Sequence, residues 1–372
     1  MKKFISLAAI SGFWLATWAT VHAAADDIEA RARAIHEHVF TIDSHDDIEL
    51  GFATSEFMPA DKVEAQVTLD KMKAGGLDGG FFVVYVGQSP RTPDNYLKAR
   101  ADALAKFDAI HRMVKLYPER IGLATTAAQA RQLHAAGKLV AFIGIENGYV
   151  IGKDLGVLKD FRAMGARYMT LVHNGHNDIG DSAQPRTEFG DKGPEEHGGL
   201  SAFGEKVVGE LNRLGILVDI SHVSKPTMLA ATRLSKVPVL ASHSGVAGVY
   251  VHARNMDDEQ LLALKQNGGV IQLVAFKAYL KDGNDANVSN FVDQIDYAVK
   301  KIGIDHVGIS SDFGGGGGIN GWNNAAESFN VTLELVKRGY SELDIGLIWG
   351  GNVLRILELA ENMAEQPGGN SH

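Results

Sequence analysis

The sequence predicts an α/β fold of the (β/α)8 TIM-barrel type, with ligand-type side chains collected at the C-terminal ends of its strands. Three observations lead there. The 372-residue chain repeats one theme: a short apolar run rich in β-branched and aromatic residues, a polar or glycine-bearing turn, and a longer amphipathic stretch. Eight such runs alternate with helical stretches over about 330 residues, the number and spacing that a barrel with loop insertions needs. Most of the runs end, on the same side of the repeat, in a histidine or a carboxylate. An open doubly wound sheet is the alternative that the rhythm alone leaves standing.

The first segment stands apart from the repeat. Lys2 and Lys3 precede an apolar run from Phe4 to about Thr20, and Val21-His22-Ala23-Ala24-Ala25 follows with small residues at cleavage positions. This is the pattern of a secretory signal over residues 1–23, cleaved near Ala23–Ala25, which implies a periplasmic or secreted protein. A retained membrane anchor is the competing reading, but Ser6, Ser11, Gly12 and Thr17 interrupt the run. Removing two lysines and no acid moves the net charge from −9 to −11, so the mature chain has no electrostatic case for nucleic acid. No later run approaches a membrane span. With no cysteine, the chain has no disulfides, thiolate chemistry or lipidated N-terminal cysteine, and at 45% hydrophobic and 22% charged its composition is globular.

A helical spacing over 26–38 leads into the first strand, 39–45. The other strands are expected at 79–86, 138–145, 167–172, 215–221, 237–242, 268–275 and 306–311. Helices are expected at 61–74, 94–116 with 125–136, 154–164, 203–214, 224–235, 257–267, 288–302, and finally 323–338 with 350–364. No boundary divides 24–365, which reads as a single domain, and 366–372 reads as a frayed, disordered tail. The long polar loop 174–199 is of the kind that carries function. The run Gly314–Gly318 lacks the Gly-Lys-Ser/Thr ending of a phosphate loop, and no GxGxxG opens a helix after the first strand.

The strand ends carry the chemistry. Strand one gives His45 and Asp47, strand three Glu146, strand four His173, strand five His222, strand six His243 and strand eight Asp312. His45 and Asp47, two apart on an extended segment, point to one side and can reach one cation. Taken singly, Glu146 caps a turn, Asp312 serves as an N-cap, and each histidine is a hydrogen-bonding partner. Taken together, buried carboxylates and imidazoles would repel or stay unsatisfied, and a metal centre satisfies them at once. Nitrogen and oxygen ligands without sulfur favour zinc, with manganese or cobalt as substitutes, in a site where a carboxylate bridges two ions. Such a pair holds a hydroxide at neutral pH and polarises an electrophile, which points to hydrolysis.

Over about Ile42 to Leu357 the chain resembles the membrane (renal) dipeptidases, zinc peptidases of the amidohydrolase-like barrels. The resemblance rests on Ile42-Asp43-Ser44-His45-Asp46-Asp47, Ile143-Gly144-Ile145-Glu146-Asn147-Gly148, Tyr168-Met169-Thr170-Leu171-Val172-His173-Asn174, and His197-Gly198-Gly199-Leu200-Ser201 followed by Phe203-Gly204. It continues through Glu210-Leu211-Asn212-Arg213-Leu214-Gly215, Asp219-Ile220-Ser221-His222-Val223-Ser224, Ser242-His243-Ser244, Arg254-Asn255, Ser311-Asp312-Phe313 and Gly350-Gly351-Asn352 with Arg355. It implies two zinc ions per chain, one held by His45 and Asp47 and the other by His222 and His243, with Glu146 bridging them beside a hydroxide that attacks the peptide bond of a dipeptide. It further implies that His173 polarises the scissile carbonyl, Asp312 is the acid/base, and Arg254 clamps the substrate's free carboxylate. Members often accept a D-residue at the C-terminal position, some hydrolyse β-lactams of the carbapenem type, and many are homodimers.

Two departures bear on substrate recognition. Members commonly carry Asp-Phe-Asp-Gly where this chain has Asp312-Phe313-Gly314-Gly315. Phe276 stands where many place a tyrosine, with Lys277 or Tyr279 as candidate replacements. The alternative within the fold is another amidohydrolase-type enzyme acting on N-acyl amino acids, lactones or phosphoesters. Outside enzymes, the alternative is a periplasmic solute-binding protein, which needs two lobes and no ring of metal ligands.

Overall fold

The computed structural model describes residues 27–60 and 64–365. The expected signal segment 1–23, the expected tail 366–372 and the first residues of the expected helix 61–74 therefore lie wholly or partly outside the described residues.

Eight parallel strands form the sheet in sequential order: β1 (Ile42–Asp47), β2 (Gly79–Tyr85), β3 (Leu139–Glu146), β4 (Ala166–Thr170), β5 (Leu217–Asp219), β6 (Leu240–Val246), β7 (Val270–Val274) and β8 (Val307–Ser310). All eight expected strands are present. Each is joined to the next by at least one helix, so the sheet curls into a nearly closed barrel of the expected type. The β8–β1 seam is the exception to regular pairing. There Asp47 N–H donates to Phe313 O at 2.8 Å, and Asp43 Oδ1 accepts from the N–H groups of His45 (3.2 Å) and Ser311 (2.9 Å).

The strands are buried on both faces, which explains their near-continuous apolar runs. Inside the barrel Phe81 lies between Phe142 and Tyr168, with ring centroids 4.6 and 5.2 Å away. The apolar face of the last helix, including Val353, Leu357 and Ala360, packs with this inner layer.

Helix boundaries follow local chemistry. Thr92 accepts from Asn95 N–H ahead of Pro93–Leu116, Ser201 accepts from Gly204 N–H ahead of Ala202–Leu214, and Asp257 with Gln260 forms a capping box ahead of Asp258–Asn267.

Some pieces escape the sequence pattern. Strand Ile121–Leu123 pairs with the start of β3 outside the ring, and Asn255–Met256 extends the end of β6. The expected 323–338 helix is a short turn at Ala325–Glu327 followed by Phe329–Lys337. A further helix, Glu342–Gly346, runs through a π turn into the last one, Asn352–Glu365.

Candidate metal centre

The barrel brings His45, Asp47, Glu146, His173, His222, His243 and Asp312 to one end. Glu146, the last residue of β3, sits at the centre with 3% exposure. Its Oε1 lies 3.1 Å from His222 Nε2, 3.3 Å from His243 Nε2 and 3.7 Å from His173 Nε2. Its Oε2 lies 3.4 Å from His45 Nε2, which in turn is 3.5 Å from Asp47 Oδ2 and 3.9 Å from Asp312 Oδ1. Three overlapping groups could each hold a cation: His45, Glu146 and His243; Glu146, His173 and His222; and His45, Asp47 and Asp312.

The partners of the far ring nitrogens decide which way each imidazole presents its lone pair. Ser242 Oγ donates to Asp219 Oδ2 at 2.6 Å, so toward His243 Nδ1, 2.8 Å away, it offers only an acceptor. Tyr168 OH donates to the Ser44 carbonyl at 3.1 Å and likewise accepts from His45 Nδ1 at 3.0 Å. Asn174 Oδ1 accepts from His222 Nδ1 at 3.2 Å. All three rings therefore carry a proton on Nδ1 and turn Nε2 toward Glu146.

The consequence is an arrangement that a cation fits. His222 and His243 are buried, which keeps both pKa values well below the ordinary histidine value and the rings neutral. Their Nε2 atoms are only 2.8 Å apart, two lone pairs facing each other across Glu146 Oε1. His45 Nε2 and Asp47 Oδ1 are buried without a hydrogen-bond partner. Burial also works against charge on His45, yet Glu146 and Asp47 outweigh it and hold its pKa well above the ordinary value. A positive charge is thus wanted at Nε2, and a metal ion supplies it.

Several candidate ligands lie within strands, earlier than the sequence suggests. His45 and Asp47 are inside β1 and His243 inside β6. His173 and His222 instead lie three residues beyond β4 and β5, which stop at Thr170 and Asp219. His222 and Asp312 adopt left-handed backbones, with φ of 65° and 58°, a conformation that costs free energy in a non-glycine residue. His222 O accepts from Ala183 N–H at 2.8 Å, and Asp312 O from Gly317 N–H at 2.8 Å, so the surrounding loops hold both turns. Burial raises the Asp312 pKa well above the ordinary carboxylate value; His45 opposes the rise, and Asp47 and Glu146 reinforce it.

Asp47, Glu146, His173, His222, His243 and Asp312 line a cavity of about 620 Å3 together with Arg254, Phe276 and Tyr279, and His45 lies buried beneath them. Arg254 is 4% exposed rather than a surface arginine. Its Nη2 donates to His243 O at 3.1 Å, its guanidinium lies 5.5 Å from the Tyr279 ring centroid, and its Nε has no partner. Of the two replacements considered for the missing tyrosine, Tyr279 faces the cavity and Lys277 does not line it. Gly314 and Gly315 reach the floor because they lack side chains: a Cβ on Gly315 would come within 2.3 Å of Asp47 Oδ2. Loop 174–199 is organised by Asp181, whose carboxylate accepts from the N–H groups of Glu196 (2.9 Å), His197 (3.0 Å) and Gly199 (2.8 Å).

The family model for membrane dipeptidases (Peptidase family M19) matches residues 29–370. The chain belongs to the membrane dipeptidase family. It is 33% identical over 317 residues to dipeptidase aclJ of Aspergillus oryzae, spanning 83% of this chain and 74% of that one. The probable dipeptidase PvdM from Pseudomonas aeruginosa has a crystal structure that superposes with a TM-score of 0.88 at 31% identity, over 91% of this chain and 100% of that one. The metallopeptidase named dipeptidase AC follows at a TM-score of 0.76 and 25% identity, over 87% and 98% of the two chains. As a membrane dipeptidase the chain is a metal-dependent hydrolase that cleaves dipeptides. No described helix is long and apolar enough to cross a membrane.

For this membrane dipeptidase the sequence singled out the histidines and carboxylates that gather around Glu146, but not the groups that orient them. Ser242, Asn174 and Tyr168 lie inside the family motifs; Ser242 bonds to the adjacent His243, while the bonds from Asn174 to His222 and from Tyr168 to His45 join segments 48 and 123 positions apart. Lys106, which also lines the cavity, carries no motif at all.

Proposed function

We propose that the chain is an exported single-domain binuclear zinc dipeptidase. Its ligands are His45 and Asp47 for one ion and His222 and His243 for the other, with Glu146 between them. The supporting observation is the set of Nε2 lone pairs turned on Glu146 by Ser242, Tyr168 and Asn174. Metal bound there activates water and polarises a carbonyl. The chain's own residues do the rest. Arg254, buried and with an unpartnered Nε, binds the α-carboxylate of the substrate's C-terminal residue and sets the distance to the scissile bond. His173, with a pKa lowered by burial, donates a hydrogen bond to the carbonyl oxygen as charge develops on it. Asp312 takes a proton from the attacking water and passes it to the leaving amine, a task that its raised pKa suits. Because Arg254 recognises a carboxylate rather than a side chain, a D-residue at the C-terminal position is accepted.

Metal analysis and dipeptide hydrolysis before and after chelation test this reading. About two zinc per chain, activity lost on chelation and restored by zinc, and hydrolysis of Ala-D-Ala support it. Full activity in the metal-free protein refutes it. Faster turnover of N-acyl amino acids or lactones than of any dipeptide assigns the site to that alternative chemistry.

A further inference from the structure

Lys106 comes from the helix Pro93–Leu116, which follows β2, and only 8% of its surface is exposed. It lines the same cavity as Glu146 and Arg254, with Nζ 5.5 Å from the centroid of the Tyr85 ring. Tyr85 in turn stands 4.8 Å from the His173 ring, so the ammonium lies one aromatic layer from the reacting centre. Among the described residues no carboxylate or carbonyl lies within hydrogen-bonding distance of Nζ. The acid one turn earlier on its helix, Asp102, is taken by Lys98 at 2.6 Å.

A buried ammonium that faces an aromatic ring but has no hydrogen-bond partner, in the lining of a binding cavity, is a site for an anion. Its position says which anion. β2 and β6 are four strands apart in the eight-strand ring, and Arg254 follows β6. Lys106 and Arg254 therefore enter the cavity from elements on opposite sides of the ring, and Glu146 lines the same cavity. A dipeptide whose α-carboxylate is held by Arg254 and whose peptide bond lies over Glu146 turns its N-terminal residue toward Lys106.

We propose that Lys106 is a specificity-determining residue that binds a carboxylate on the side chain of the substrate's N-terminal residue, making acidic-first dipeptides the preferred class. The proposal rests on the placement of the α-carboxylate at Arg254.

The experiment compares kcat/KM for Glu-Ala and Gln-Ala, which differ in charge but scarcely in shape, in the zinc-loaded enzyme and in Lys106→Met, Lys106→Gln and Lys106→Arg. Because the readout is a ratio, a general loss of activity divides out. The wild type is expected to favour Glu-Ala by about tenfold or more. Lys106→Met and Lys106→Gln bring the ratio close to one, and Lys106→Arg keeps most of the preference. A wild-type ratio of one or below overturns the proposal, whether or not the variants fold. So does a ratio that persists in Lys106→Met while metal content falls, because Lys106 then serves only to offset the charge of Asp47 and Glu146. Hydrolysis of neither dipeptide overturns the placement at Arg254 instead.

Discussion

Tyr168→Phe removes one oxygen atom and tests whether the imidazoles are held in a single tautomer. The ring of Tyr168 is fully buried, and its fit is fixed by Gly144, where an added Cβ would come 2.1 Å from the ring carbon that bears the hydroxyl. Phenylalanine therefore keeps the packing, and only two hydrogen bonds are lost, from His45 Nδ1 at 3.0 Å and to Ser44 O at 3.1 Å. Each group left unpaired in the interior costs about 1–3 kcal/mol. With no acceptor left at Nδ1, His45, whose charge Glu146 and Asp47 favour, holds its proton more firmly on Nε2, where Glu146 Oε2 is 3.4 Å away. A ring protonated on Nε2 has no lone pair there for a metal, so binding must first displace that proton. The expected result is a loss of about 10–100-fold in metal affinity, or about 1.4–2.7 kcal/mol. Competition with a chromophoric chelator at pH 7.5 measures it, and circular dichroism verifies the fold. An affinity within twofold of wild type in a folded variant refutes the account of how His45 is oriented.

Asp312→Asn should keep its full metal content and lose about 10²–10⁴-fold in kcat, measured by metal analysis beside dipeptide turnover. Arg254→Ala should raise KM for dipeptides by about 10–100-fold while an aryl ester without a carboxylate is nearly unaffected, a split visible in parallel kinetics. His36 supplies a pH prediction away from the cavity. Its Nε2 bonds to Gly75 O at 2.8 Å and its Nδ1 accepts from Thr332, whose hydroxyl accepts in turn from Trp349 Nε1 at 2.9 Å. Burial lowers its folded-state pKa, so below about pH 6.5 the unfolded chain takes up the proton first, and the stability present above that pH is lost as pH falls. Thermal melts should show wild type losing more stability between pH 7.5 and 5 than His36→Gln; equal losses contradict the assignment.

The barrel was legible because its strands are buried on both faces and so read as continuous apolar runs, as in Gly79–Tyr85. The candidate ligands were legible for a related reason: although single polar residues in such runs, Asp43 among them, can staple strands, a set of histidines and carboxylates at one end of the sheet calls for a cation. The three-residue strand Ile121–Leu123 leaves too short a pattern to be read. The turn at Leu347–Gly351 joins two helices with no glycine stop between them that differs from the glycines around it. What stands behind the site was hidden by distance, since the oxygen that orients His45 lies 123 positions away. Lys106 was hidden for the opposite reason, because a lysine in a long amphipathic helix looks like any solvated one.

The β8–β1 seam has a consequence for when the enzyme becomes active. Asp43 joins two N–H groups at the meeting of the first and last strands, one of them belonging to Ser311, 268 positions away. The same junction sets Asp47 and Asp312 on either side of His45 Nε2. A chain whose last strand has not yet met the first lacks both the Ser311 staple and the placement of Asp312, the proposed proton carrier, beside His45. With Asp312 in its proposed role, activity requires a closed ring.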